Sequence, residues 1–231
     1  MTSWLDFWGG THSIYVNARH LDVHCAKIGD DVRALLTYRN APRLLDFGCG
    51  DALYAPRLAE AGIRVALYDG AAPVRARLAE HLADQPNITV LSETDWRNLA
   101  PGKQDVILVN SVLQYLDTAT LDALLDRWRD LLAPGGEILF ADLIHPETGL
   151  VADVLDLLVP AAKNGFFWAA LAGLFATLVS DYRRLRATLG LARYRPEDFL
   201  ARLARHGLAG ERLPANIGLN AHRMTFRAKR A

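Results

Sequence analysis

Along residues 13–38 apolar side chains recur at helical spacing (Ile14, Val16, Leu21, Val23, Ala26, Ile28, Val32, Leu35), which predicts an N-terminal helical arm. The period then changes. Short aliphatic runs predict strands at 43–47, 63–68, 88–91, 105–110 and 137–141, with helices at 52–61, 73–83 and 119–132 between them. Apolar strands alternating with helices need crossover connections, and therefore a parallel sheet covered on both faces. Beyond residue 146 the rhythm breaks. Residues 147–189 read as helices, Pro196 opens another that Gly207 ends, and two last strands are expected near 208–213 and 223–228. The expectation is one domain: an arm (1–40), a core (41–146), a helical lid (147–206) inserted before the last strand pair, and that pair itself (207–231).

Composition narrows the class. Of 231 residues 51% are hydrophobic and 23% charged, enough to bury a core without staples. Two cysteines, Cys25 and Cys49, exclude a disulfide scaffold and suit a reducing cytosol. The first ten residues, MTSWLDFWGG, lack the basic segment and apolar run of a signal peptide. Lys and Arg balance Asp and Glu at 26 each, which counts against nucleic acid as the partner. The balance is uneven along the chain, however: residues 1–182 carry a net charge of −9 and residues 183–231 one of +9. A basic face pairing with the acidic body explains this, and so does a surface for an anionic substrate or an acidic membrane.

The most informative stretch is LLDFGCGDALY, Leu44 to Tyr54. A buried strand runs into Gly48-Cys49-Gly50, where the backbone can turn sharply and let a ligand come close. A dinucleotide site wants a third glycine, and Leu53 stands there instead. Asp46 and Asp51 flank the turn and would repel a pyrophosphate, but they attract the ammonium and sulfonium of S-adenosylmethionine. Asp69 ends the second strand 19 residues after Gly50, where a carboxylate can accept both ribose hydroxyls of an adenosine.

These motifs resemble the class I S-adenosylmethionine-dependent methyltransferases, of the small type 11/12-like kind. The resemblance implies a Rossmann-like α/β fold: a seven-stranded, mostly parallel sheet with helices on both faces and one antiparallel strand in the terminal pair. It implies S-adenosylmethionine as cofactor, S-adenosylhomocysteine as product and no metal. It assigns the cofactor turn to Asp46, Gly48, Cys49 and Gly50, and the ribose to Asp69 with Gly70 following. The adenine falls to Asp95-Trp96, with Glu93 as an alternative. Asn110 would line the methionine end, and Gln114 stands where many relatives have histidine. Gly135-Gly136, in LLAPGGEILFADL, is the structural turn before the fifth strand.

Methyl transfer from a sulfonium is an in-line displacement, so a base is needed only if the acceptor must lose a proton. His145, just past the fifth strand, is one candidate, and His20 and His24 on the arm are others. The arm is expected either to fold over the cofactor, with Tyr15 or His20 touching its carboxylate or the substrate, or to cap the sheet without touching a ligand. His20 and His24 are spaced for a metal, but no third ligand accompanies them and none is expected. The post-strand segment Asn110-Ser111-Val112-Leu113 lacks the prolines of amino-methylating enzymes on nucleic acids, which leaves a small molecule as the default acceptor. Asn164 to Ser180 is uncharged for 17 residues and short for a membrane span. Phe166, Phe167, Trp168 and Phe175 suggest an apolar acceptor pocket, so a lipophilic or amphipathic acceptor is expected. The same stretch, with the basic run after it, offers a peripheral membrane contact through 164–186 or a homodimer interface. Cytoplasmic or membrane-peripheral localisation is expected. Methylation of RNA or protein, and a non-catalytic cofactor-binding subunit, remain the alternative functions.

Overall fold

The computed structural model describes Trp4, Trp8 and residues 15–178 and 190–231. Seven strands form one sheet: β1 Arg43–Phe47, β2 Arg64–Tyr68, β3 Ile88–Val90, β4 Gln104–Asn110, β5 Leu132–Leu143, β6 Leu208–Arg212 and β7 Met224–Arg230. The spatial order is β3-β2-β1-β4-β5-β7-β6, with β1 to β5 parallel and β7 antiparallel to both neighbours. The strand order reverses between β1 and β4, so a crevice opens there at the carboxyl ends of the strands.

Alternation along the strands builds a core on each face. Leu44, Val65, Leu67, Val106, Leu108 and Leu139 point to one side, against the arm helix α1 (Ala18–Leu35), α2 (Ala55–Glu60) and α3 (Ala72–His81). Leu45, Phe47, Ile107, Val109, Ile138 and Phe140 point to the other. That face packs on α5 (Thr118–Leu131) through Leu121, Leu125 and Trp128, and on α8 (Pro196–Arg205) through Phe199 and Leu203. A short helix α4 (Glu93–Arg97) and a single 3-10 turn at Leu113–Tyr115 complete the core's upper rim. The lid is a hairpin of α6 (Leu150–Asn164) and α7 (Phe167–Leu178), and it rests on Val16 and Val23 of the arm through Ala161, Phe166 and Ala170.

Several element bounds differ from the sequence expectation. The arm helix starts at Ala18, because extended Asn17 caps it by accepting the His20 N–H at 2.8 Å. Residues 13 and 14 lie outside the described residues, and 36–38 form a turn instead of a last helical turn. The helix expected from residue 52 begins at Ala55, since Ala52 sits at φ 44° in the turn that leaves β1. The strand expected at 137–141 begins at Leu132, which pairs with Gln104 before the register shifts. Within the lid, Gly165 adopts φ 79° and ends α6, which divides α6 from α7. Residues 179–189 of the expected lid lie outside the described residues.

Candidate functional site

The crevice at the ends of β1, β2, β4 and β5 is lined with carboxylates. Asp46, the fourth residue of β1, is buried, and its Oδ2 accepts the Tyr54 hydroxyl at 2.5 Å. Its Oδ1 is buried with no hydrogen-bond partner among the described residues. Burial pushes the carboxyl up to about 7; the Tyr54 hydrogen bond works against this and the charge of Asp69 adds to it. A buried acceptor left in that state calls for a donor, preferably a cationic one.

The turn after β1 is built around its glycines. Gly48 sits at φ 75°, and a Cβ on it would stand 2.3 Å from Val112 Cγ2, so the loop after β4 packs directly on the backbone. Gly50 sits at φ 56°, and a Cβ there would meet nothing within 4 Å. The turn therefore presents bare backbone to open space, the form of a cradle. Gly50 N–H donates to Asp69 Oδ2 at 3.1 Å, and Ala71 N–H donates to Asp69 Oδ1 at 2.8 Å. Asp69 thus ties the turn after β1 to the turn after β2 and keeps further lone pairs. Its backbone carbonyl and that of Gly70 accept Arg75 Nη1, while Cys49 is buried with its N–H on Tyr68 O.

At the end of β4, Asn110 Oδ1 is buried and, like Asp46 Oδ1, has no partner among the described residues. Gln114 Oε1 is in the same state in the turn beyond it, where the backbone carbonyl of Gln114 accepts Ala192 N–H from the chain returning after the lid. The residues expected at the adenine follow β3, in α4. Asp95 closes the capping box of α4 with Ser92, while the Glu93 carboxylate accepts the Tyr68 hydroxyl at 2.6 Å and Arg97 Nε at 2.9 Å. The Trp96 ring is buried in the core, stacked on Tyr68 at 5.1 Å and tilted against Phe47 at 4.9 Å.

The arm closes the crevice. Tyr15, His20 and His24 form a ring cluster with centroids 5.3 to 6.3 Å apart, and His20 stacks on Phe166 of the lid at 5.0 Å. Burial, then the neighbouring His24, holds His20 down to about 4. Burial lowers His24 as well, and the Asp142 charge at the end of β5 works against that shift. The Tyr15 hydroxyl is pushed up by burial, with the charges of Asp51 and Asp142 adding to it. His145 is arranged differently: its Nδ1 accepts the Glu147 N–H at 3.2 Å, which in the neutral ring leaves the proton on Nε2.

Of the residues expected at the acceptor, Trp168 is 78% exposed and stands in solvent, whereas Phe166 is the aromatic that turns inward. Phe167 is half-buried against Trp168, and the side chain of Phe175 lies outside the description. A groove of about 660 Å³ lies where the arm meets Leu53, Arg57 of α2, Asn164 at the end of α6 and Leu219 of the loop before β7, with Arg19, Lys27, Asp22 and Asp30 of the arm along it. Leu53, in the turn beyond Gly50, lines it, whereas Gly48, Cys49 and Gly50 do not. Sequence reasoning missed Ser111, Asp142, Asn216 and Asn220, which gather at the end of β5. Their partners lie 31 to 78 positions away, a separation that no local pattern reports.

These residues fit S-adenosylmethionine. Asp46 and Asn110 offer acceptors for an ammonium that have no partner among the described residues, Gly50 offers open backbone, and Asp69 offers an acceptor pair for a ribose.

Comparison with known proteins agrees. Residues 45–138 match the family model described as a methyltransferase domain. An uncharacterized methyltransferase of Geobacillus kaustophilus is 32% identical over 101 residues, spanning 43% of this chain and 46% of that protein, so the match covers less than half the relative's length. Magnesium protoporphyrin IX methyltransferase of Synechocystis, with bound S-adenosylhomocysteine, superposes at a TM-score of 0.58 with 19% identity over 98% of this chain and 92% of that one. The 1,6-didemethyltoxoflavin-N1-methyltransferase of Burkholderia thailandensis does so at 0.56 with 15% identity, over 90% and 78%. At these identities the structural likeness shows the fold.

Proposed function

We propose that this chain, which carries a methyltransferase domain of the class I fold, moves the methyl group of S-adenosylmethionine to a small, lipophilic acceptor. The observation that carries the reading is the pair of buried acceptors, Asp46 Oδ1 and Asn110 Oδ1, without a partner among the described residues, together with the open Gly50 backbone. When bound, the cofactor supplies an electrophilic methyl on a positively charged sulfur. Asp46, Asp51, Asp69 and Asp142 give the crevice the sign that holds such a cation. Tyr15, the arm histidines and Phe166 cover it, holding the reacting atoms together and excluding water. His24, which burial keeps neutral while the charge of Asp142 works against that shift, is the side chain that takes the acceptor's proton, in preference to His145 with its Nδ1 already engaged. The inward Phe166, Ala161 and Ala170 of the lid support an apolar acceptor. No helix among the described residues is long and apolar enough to cross a membrane.

The test is calorimetric titration with S-adenosylmethionine and S-adenosylhomocysteine, with Asp69→Ala alongside. Micromolar binding that Asp69→Ala weakens is expected, followed by screening of lipophilic acceptors with a labelled methyl donor. Equal affinity of wild type and Asp69→Ala would overturn the ribose assignment, and no binding of either ligand would overturn the whole reading. A second reading, an RNA or acidic protein acceptor, draws on a cavity of about 410 Å³ lined by Arg193, Arg195, Arg202 and Arg205. Steeply salt-dependent RNA binding would favour it over the small molecule.

A further inference from the structure

Tyr54 stands 8 residues after Asp46, beyond the glycine turn, and two elements fix its place. Its backbone opens α2, where its carbonyl accepts the Leu58 N–H at 3.2 Å. Its side chain is buried in the core shared by the sheet and the arm helix α1. There its hydroxyl donates to Asp46 Oδ2 at 2.5 Å. Burial pushes the ionisation of that phenol well above its ordinary range, and the Asp46 charge adds to the shift, so the hydroxyl serves Asp46 as a proton donor.

Little else reaches that carboxylate. The residues level with Asp46 on the neighbouring strands are Leu67 of β2 and Leu108 of β4, both fully buried aliphatics. The other titratable groups that act on it are Asp69 from the end of β2 and Cys49 from the turn, and neither donates a hydrogen bond to it. Among the described residues the Tyr54 hydroxyl is the one donor to either Asp46 oxygen.

The arm is shaped to admit this arrangement. Gly29 is buried in the interior of α1, where glycine is disfavoured and its presence marks close packing. A Cβ there would stand 3.1 Å from Tyr54 Cβ, so the missing side chain is the space into which Tyr54 fits. Asp31, on the same turn of α1, accepts the Gly218 N–H at 3.0 Å, which ties that turn to the loop before β7.

We propose that Tyr54 is a positioning residue: its hydroxyl fixes the Asp46 carboxylate through Oδ2 so that Oδ1 is left for the ammonium of S-adenosylmethionine, and Gly29 seats it. The proposal rests on the reading of S-adenosylmethionine as cofactor and concerns its ammonium alone. A carboxylate tied at one oxygen loses less freedom when it takes a ligand on the other, and the same bond favours its anion.

The experiment is calorimetric titration of wild type, Tyr54→Phe, Asp46→Asn and the double variant between pH 6 and pH 8. The probes are S-adenosylhomocysteine and methylthioadenosine, which carries the same nucleoside and no ammonium. At pH 8 Tyr54→Phe should weaken S-adenosylhomocysteine about fivefold and methylthioadenosine by less than about twofold. In the Asp46→Asn background the same substitution should cost less than about twofold for either probe. The Asp46 carboxyl sits at about 7, so S-adenosylhomocysteine affinity falls on the acid side of that value, and this limb should move up by about one pH unit in Tyr54→Phe. Equal weakening of both probes, equal weakening in both backgrounds, or unchanged affinity makes the hydroxyl a general support of the fold and overturns the proposal. A Tyr54→Phe that folds only together with Asp46→Asn upholds it, because the carboxylate is then what the hydroxyl holds; failure of both to fold overturns it. Wild type that binds neither probe sinks the cofactor reading and this role with it, whereas wild type that binds beside an unchanged Tyr54→Phe sinks the role of Tyr54 alone.

Discussion

Asp46→Asn isolates the charge at the base of the crevice while keeping its shape. The carboxyl titrates near 7 rather than in the ordinary carboxylate range, because burial disfavours its anion and Asp69 adds repulsion that the Tyr54 hydroxyl only partly offsets; Cys49 is the other titratable group beside it. A rise of about three units is worth about 4 kcal/mol at pH 8, an upper bound on what the empty protein loses by keeping the anion. The sign follows from a folded-state value raised above the unfolded one: this stability is present below about pH 4 and is lost as the pH climbs to about 7. Asn carries no such cost, and its amide can still accept from Tyr54. The ligand-free variant should therefore melt above wild type at pH 8, by up to about 8–16 °C given 2–4 °C per kcal/mol for a chain of this size. The gap should close towards pH 5. Affinity should move the other way, because a bound ammonium loses a charged acceptor worth about 1.5–3 kcal/mol, which is roughly ten- to hundredfold in Kd. Melting curves at pH 5 and 8 and titration with S-adenosylhomocysteine at pH 8 measure both. A stability gap of the same size at both pH values refutes the strained-carboxylate argument, and unchanged affinity refutes the ammonium contact.

Three further outcomes are expected. Gly48→Ala combines a left-handed backbone with a 2.3 Å approach to Val112 Cγ2 and should cost about 2–3 kcal/mol, with partial recovery in the double variant with Val112→Ala, read by urea unfolding. Glu137, fully buried on β5 under Tyr38, Arg39 and Arg227, anchors the opposite end of the sheet. Glu137→Ala should cost about 3–5 kcal/mol and lower the melting temperature without changing S-adenosylhomocysteine affinity in the protein that remains folded. His20 is held down to about 4, so its contribution to stability is present above the unfolded value near 6.5 and is lost as the pH falls through 4. His20→Phe should flatten the loss of stability between pH 6.5 and 4, and an unchanged slope in urea titrations would contradict the neutral assignment.

The sheet was legible because its strands are buried on both faces: runs such as Val106 to Val109 admit few other readings. The turn at Gly48–Gly50 was legible because glycine and carboxylate spacing report backbone geometry and charge directly. Helix α4 escaped periodicity analysis because five residues make little more than one turn, although Ser92 and Asp95 do spell a capping box. The early start of β5 was hidden by Pro134-Gly135-Gly136, read as a turn alone, while Leu132 pairs beside Gln104. The exposure of Trp168 was not legible because hydropathy records that a side chain is apolar, not which face of a helix carries it. The support around Asp142 is the hardest case. Neither its left-handed backbone nor a hydrogen bond reaching 78 positions leaves a local trace.

The hydrogen bond between Asp31 and Gly218 joins positions 187 residues apart, whereas the cofactor cradle draws on the much shorter span from Asp46 to Asn110. Closing so long a loop carries the larger entropic cost, so the cradle forms from nearer contacts first and its cover is added late. In the native protein the order should reverse, the cover opening at lower free energy than the sheet beneath it. Amide hydrogens of the arm and of Ile217–Gly218 should accordingly exchange sooner than those of β1 and β4, which gives ligands a way in and out without unfolding the domain.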